Sequence, residues 1–213
     1  MSDRFGREEM LELEQIPIPD FTDLESQTNQ RFSSEEIQRR FFTAADNIMR
    51  KYILAFGDRG NERHLNITAL ELYLYCASWP DPNTDKHSEQ AKSRRWYVHR
   101  RGNLANRSRI DITAGSEELY CGLLIRGIDG RDGSGSAIKK IIRGTDRSPR
   151  DWLDEEIDIL DTSIHGKPIV GELLQLKRRE ADRVGTVARQ QRVGLRYPGE
   201  PWDTPLRAVF EGK

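Results

Sequence analysis

Apolar residues recur along the chain in two rhythms, and the change from one to the other marks out the elements. Ile37, Phe41, Ala45, Ile48, Met49, Tyr52 and Ile53 fall at helical spacing, and Ser33 with Glu36 has the form of a capping box. An amphipathic helix lying on a core is expected there, ended by the glycine-rich, charged residues 57–63 (GDRGNER). Residues 66–75 (NITALELYLY) then change to period two. Ile67, Ala69, Glu71, Tyr73 and Tyr75 would share one face of a strand, and Thr68, Leu70, Leu72 and Leu74 the other. Residues 79–83 (WPDPN) make a turn into an extended loop carrying Asp85, Lys86 and His87. Residues 96–98 (WYV) and 110–113 (IDIT) read as the arms of a hairpin turning at Gly102 and Asn103.

Further strands are expected at residues 119–126 (LYCGLLIR), 192–195 (RVGL) and 205–210 (PLRAVF). Residues 137–143 and 148–160 read as short amphipathic helices, the second with Ser148 as cap and Pro149 in its first turn; residues 173–189 are charged and helix-compatible. The glycines of residues 127–135 lack a following Gly-Lys-Ser/Thr, so they read as a loop rather than a phosphate cradle. The pattern gives an α/β domain of α+β type, residues 33–213, with a central curved, mostly antiparallel sheet flanked by helices. Residues 1–32, polar and acidic with Pro17 and Pro19, are expected to form a loosely ordered arm.

Charge changes this picture only locally. The 213 residues carry a formal net charge of -1, so any affinity for nucleic acid has to come from a patch. Residues 92–109 (KSRRWYVHRRGNLANRSR) supply one, holding Lys92, Arg94, Arg95, Arg100, Arg101, Arg107 and Arg109 without an acid. Such a run is either a solvated charged hairpin or a set of phosphate contacts around Asn103 and an inserted Leu104. Cys76 and Cys121 lie in apolar runs without metal-ligand spacing, as buried free thiols do, which suits a reducing compartment. No segment has the form of a secretion signal or reaches membrane-spanning length. The expectation is a soluble monomer, cytoplasmic and nucleoid-associated or nuclear, not secreted and with no membrane partner.

The candidate for chemistry is Glu71. A carboxylate within an apolar strand must be paired or held for a reaction, because burying it alone is very costly. Arg126, closing another apolar strand, is its natural partner.

The order of ELY (Glu71 to Tyr73), HS (His87, Ser88), WYVH (Trp96 to His99), IDIT, LLIR, RVGL, GE and PLR resembles that of the alkyladenine (3-methyladenine) DNA glycosylases. The resemblance implies a fold like the C-terminal domain of formyltransferases and excision of a damaged or modified base, an alkylated purine, without metal or other cofactor. It implies Glu71 as general base, with Arg126 and a backbone carbonyl near Leu195 helping to hold the attacking water. Tyr73, His87, Tyr97, His99 and Asp111 would line the base pocket. His99 stands where the family has a tyrosine, and Asp111 where it has an asparagine, so that a carboxylate would draw a cationic lesion. Arg94, Arg95, Arg100, Arg101, Asn103, Leu104 and Arg107 would contact DNA, although the hairpin tip lacks the family's aromatic wedge. Two other functions fit the same residues: a nucleic-acid-binding module without catalysis, and a hydrolase of modified nucleosides, which would not need the arginine hairpin.

Overall fold

Ser33 opens helix α1, Ser34–Lys51, its hydroxyl accepting the Glu36 N–H at 3.3 Å. In the computed structural model, which describes residues 11, 13–24, 33–56, 62–99, 109–129, 131–132, 164–171, 174–199 and 201–212, the helix buries Ile37, Phe41, Phe42, Ala44, Ala45, Ile48 and Met49. Glu35 and Glu36 in its first turn and Arg50 and Lys51 in its last complement the helix dipole. It stops earlier than its apolar period suggests. Tyr52 turns extended, and it and Ile53 belong to a strand that pairs on both edges, so ladder bonds replace the next helical turn.

In chain order the strands are β1 Tyr52–Phe56, β2 Arg63–Leu65, β3 Ile67–Cys76, β4 Trp79–Pro80, β5 Ser93–Val98, β6 Ile110–Ala114, β7 Tyr120–Ile128, β8 Arg131–Asp132, β9 Leu174–Arg178, β10 Gly185–Gln190 and β11 Arg207–Gly212. They form two open antiparallel sheets. The smaller runs β2-β1-β9; the larger runs β10-β11-β3-β7-β6-β5, with β4 added to β3 and β8 to β7. Trp96 on β5, fully buried, donates its indole N–H to the Leu174 carbonyl at 3.0 Å and so ties the two sheets together.

Two expectations are corrected here. Of residues 173–189, expected to be helix-compatible, those described (174–189) hold β9 and most of β10: Leu174 and Leu176 are buried, Lys177 is exposed, and Leu176 pairs with Leu54. Their charged residues are compatible with a helix, but burial has the period of a strand. Residues 192–195 form bends rather than a strand, with Gly194 at φ 69°.

A register shift between Ile67 and Leu70 decides which side of β3 meets the helix. Ile67 thereby joins Leu70, Leu72, Leu74 and Cys76 in the core that holds the buried face of α1. Ala69, Glu71, Tyr73 and Tyr75 keep the opposite face, which loops also cover, since β3 is buried along almost its whole length. Cys76 and Cys121 are free thiols in the core, as expected.

Residues 13–23 are held, in contrast to the loose arm expected. Ile16 and Phe21 are in the core, Tyr52 donates its hydroxyl to the Gln15 carbonyl at 2.9 Å, and Arg40 reaches both the Asp20 carbonyl and the Asp23 carboxylate. Burying two large apolar side chains outweighs what composition alone suggested. The expected helices at residues 137–143 and 148–160 lie outside the described residues. So do Arg100, Arg101, Asn103, Leu104 and Arg107 of the hairpin tip. Among the described residues, no helix is long and apolar enough to cross a membrane.

Candidate active site on the sheet face opposite the helix

Strand register sets five residues in one row across the large sheet. Arg207 on β11 pairs with Glu71 on β3, Glu71 with Leu124 on β7, Leu124 with Asp111 on β6, and Asp111 with Tyr97 on β5. With neighbouring strands about 4.8 Å apart, the backbones of Glu71 and Asp111 are separated by about 10 Å. Of the expected residues, Glu71, Asp111 and Tyr97 therefore share one face of the sheet.

Glu71 has no exposed surface. Its Oε1 accepts the Val193 N–H at 3.1 Å and lies 3.5 Å from Arg126 Nε and 3.9 Å from Arg207 Nε. Its Oε2 accepts the Tyr73 hydroxyl at 3.0 Å. Two guanidiniums and two hydrogen bonds meet the buried charge, as the burial of a carboxylate demands. Burial, reinforced by the negative charge of Glu71, pushes the Tyr73 phenol well above its ordinary range, so that it remains a donor.

The partnership of Arg126 with Glu71 is as expected; Arg207 and the Val193 amide are additions that sequence reading missed. The RVGL segment meets Glu71 through the amide of Val193. Leu195, two residues on, is half-buried. That segment is anchored by Arg192, which is buried on Asp81 and also donates to the carbonyls of Leu72 and Trp202 at 3.0 Å each.

Tyr97 is the centre of a second cluster. His87 stacks on its ring with centroids 4.9 Å apart and planes at 25°, His99 lies at 4.5 Å and His165 at 5.7 Å. Three of the chain's four histidines thus surround one tyrosine. Backbone donors orient two of them. His87 Nδ1 accepts the Glu89 N–H at 3.1 Å as the cap of the 3-10 turn Ser88–Ala91, and His165 Nδ1 accepts the Val98 N–H at 3.2 Å. His165 was not singled out from the sequence, and no local pattern marks it.

His99 lies between two carboxylates, its Nδ1 2.7 Å from Asp85 Oδ2 and its Nε2 2.8 Å from Asp111 Oδ1. Both nitrogens can donate to these oxygens only when the ring carries both protons. Asp111 is fully buried, and its second oxygen accepts the Gln90 side-chain amide at 3.1 Å. It lies across Gly122 of β7, where an added Cβ would stand 2.3 Å from Asp111 Oδ2. Asp111 therefore does not present a carboxylate to a ligand, the role expected of it. One of its oxygens lies against His99 and the other accepts the Gln90 amide.

Arg94 and Arg95 are also corrected. Arg94, at φ 58°, turns back onto the N-terminal segment, donating from Nε to the Leu13 carbonyl at 2.8 Å and from its terminal nitrogen to the Ile16 carbonyl at 3.3 Å. Arg95 donates to the Gly166 carbonyl at 2.7 Å. Both donate to the protein's own backbone, Arg94 from two of its nitrogens and Arg95 from one.

The thiol of Cys121 is raised well above its ordinary value, first by burial and then by Asp111 and Cys76, so it is no nucleophile. Among the described residues, no three His, Cys, Asp or Glu side chains are arranged to hold a metal ion. The groove between residues 17–23 and α1, lined by Pro19, Asp20, Arg39, Arg40 and Asn47 among others, involves none of these groups. No protein-family model matches the chain, and a search of curated proteins finds no match to it.

Proposed function

We propose that this chain hydrolyses N-glycosidic bonds in DNA, as a monofunctional glycosylase that releases a damaged or modified base and leaves an abasic site. The observation that carries the reading is the setting of Glu71, a fully buried carboxylate aimed by a hydroxyl and an amide and in register with the aromatic cluster at Tyr97. Breaking the bond needs a water made nucleophilic and negative charge near a sugar that becomes oxocarbenium-like, and one carboxylate serves both needs. Among the described residues, Oε2 accepts only the Tyr73 hydroxyl, which leaves it a lone pair for a water. The other oxygen accepts the Val193 N–H, with Arg126 and Arg207 as cations 3.5 and 3.9 Å away.

A base acted upon must leave its stack and meet flat side chains, and His87 and Tyr97 are flat side chains on the same face. Because Glu71 has no exposed surface, entry of a sugar and base requires a covering side chain to give way. The resemblance of the ELY, WYVH, LLIR and RVGL segments to the alkyladenine DNA glycosylases, with their formyltransferase-like sheet, points the same way and suggests an alkylated purine. With both Asp111 oxygens taken up by His99 and Gln90, preference for a cationic lesion has no support from Asp111.

A second reading is a binding module in which Glu71 only balances its arginines; the two cations beside it suit that equally. Incubation of the protein with duplex and single-stranded oligonucleotides carrying different alkylated or deaminated bases, followed by hot alkali, separates them. Strand breaks at the lesion are the expected result. Binding without breaks supports the module, and release of base from free nucleosides alone supports a nucleoside hydrolase.

A further inference from the structure

A second acid-free basic stretch, residues 183–199 (RVGTVARQQRVGLRYPG), holds Arg183, Arg189, Arg192 and Arg196. Three of these arginines have internal tasks, Arg189 among them, its guanidinium lying over the Phe42 ring. Arg183 donates to the Ile67 carbonyl and covers the Phe210 ring, and Arg192 is buried on Asp81. Arg196 is exposed, and so are Gln190 and Gln191. Among the described residues the exposed large apolar side chains are Leu11, Val184, Val193 and Tyr197, and Val193 and Tyr197 lie in the loop of residues 191–199 that follows β10.

The loop is braced from below. At one end Arg192 is fixed on Asp81. At the other, the Asn83 side chain holds the Tyr197 backbone in both directions, accepting its N–H at 2.9 Å and donating to its carbonyl at 3.0 Å. Asn83 is itself oriented by Asp81 Oδ1, which accepts from its backbone and its side-chain amide at 2.9 and 3.0 Å. Gly194 at φ 69° and Gly199 at φ 113° permit the turns between and beyond these points. Tyr197 is thus half-exposed on a backbone that is held in place, four residues from the amide that aims Glu71.

We propose that residues 193–197 form a resting surface for a nucleic-acid strand, with the Tyr197 ring stacking on a base beside the one acted upon and Arg196 meeting a phosphate. The proposal rests on the nucleic-acid reading of Glu71 and adds a surface to it. An aromatic ring on a held backbone next to an exposed arginine suits a stacked base and a phosphate, and the seventeen-residue run carries no acid to repel one. It also provides an outward-facing contact in place of Arg94 and Arg95, which turn inward.

The test is fluorescence anisotropy of fluorescein-labelled DNA, single-stranded and duplex, over a range of salt, with wild type, Tyr197→Ala, Tyr197→Trp, Arg196→Ala and, as a distant exposed control, Val184→Ala. Tyr197→Ala should weaken binding roughly five- to a hundred-fold while Tyr197→Trp retains it. Arg196→Ala should lower the slope of log affinity against log salt by about 0.7 to 0.9. Val184→Ala should match wild type. A Tyr197→Ala protein that binds as wild type does, or a wild type that binds no DNA, overturns the proposal. So does light scattering that shows a dimer split by Tyr197→Ala with DNA affinity unchanged, since the surface would then serve self-association. The two readings fail separately: reduced binding by Tyr197→Ala with a wild type that releases no base keeps the surface and removes the glycosylase. Base release with unaltered Tyr197→Ala binding does the reverse.

Discussion

His99 Nε2 and Asp111 Oδ1 stand 2.8 Å apart within the large sheet, where Asp111 has no contact with solvent. The pair turns a residue expected to read a substrate into part of the scaffold. Asp111 accepts from the Gln90 amide and lies against His99, and disturbing the hydrogen bonds of a buried polar group costs about 1 to 3 kcal/mol. Asp111→Asn should therefore lower the urea-derived unfolding free energy by that order, and leave the ratio of excision of methylated purine to hypoxanthine unchanged. A variant of wild-type stability whose preference moves to hypoxanthine would return Asp111 to the base pocket.

Gly122 lies where the Asp111 side chain needs space. Gly122→Ala would force a Cβ against Asp111 Oδ2 and should destabilise by about 1 to 3 kcal/mol, the usual cost of overfilling a packed interior. Joined with Asp111→Ala, the same change should cost less than the sum of the two single effects, because the clash is gone. Additive effects in the double-mutant cycle would show that the two positions do not compete.

Arg94 should behave as an anchor rather than a DNA contact. Burial lowers the pKa of its guanidinium, and three backbone carbonyls of residues 13–16 surround it. Arg94→Ala should speed amide exchange in residues 13–16 and lower stability, with DNA affinity and its salt dependence unaltered. A flatter salt dependence with unchanged exchange would reverse the assignment.

Tyr73 gives the site a signature in alkali. Its pKa is raised on folding from the ordinary 10.0, so the folded state holds this proton when the unfolded chain has lost it. The corresponding stability is complete below about pH 10 and declines as the pH rises beyond it. Wild type should lose unfolding free energy more steeply than Tyr73→Phe above pH 10, measured by urea titration at successive pH values. Equal slopes would mean that Tyr73 ionises alike in both states.

The large sheet could be read from the sequence because β3, β5, β6 and β7 alternate or run apolar between clear turn signals. Glu71 and Arg126 were visible for the same reason, as charges set against that pattern. Residues 173–189 misled because glutamate, lysine and arginine suit a helix, while the feature that makes β9 a strand, pairing with Tyr52–Phe56, is made by residues distant in sequence. The contacts of Asp85, Gln90, His99 and Asp111 likewise join positions whose order along the chain gives no sign of their meeting. Arg94 and Arg95 lie in an acid-free run, and such a run states charge without direction. Direction came from the positive φ of Arg94 and the nearness of residues 13–16. The register shift in β3 moved Ile67 to the helix side but left Glu71 and Tyr73 on the face the alternation gave them.

The most direct measurement is single-turnover base release by Glu71→Gln on a duplex bearing an alkylated purine, run beside its thermal melting and DNA affinity. Glutamine keeps the volume of the side chain and can still accept the Val193 N–H on its amide oxygen while its NH2 donates to the Tyr73 hydroxyl oxygen, but it neither takes a proton from water nor opposes positive charge on the sugar. Base release should fall by about a hundred- to ten-thousand-fold, the loss typical of a positioned general base, with affinity near wild type. A folded Glu71→Gln protein that releases the base at the wild-type rate would contradict the role of Glu71. One that melts far below wild type would assign Glu71 instead to the balance of Arg126 and Arg207.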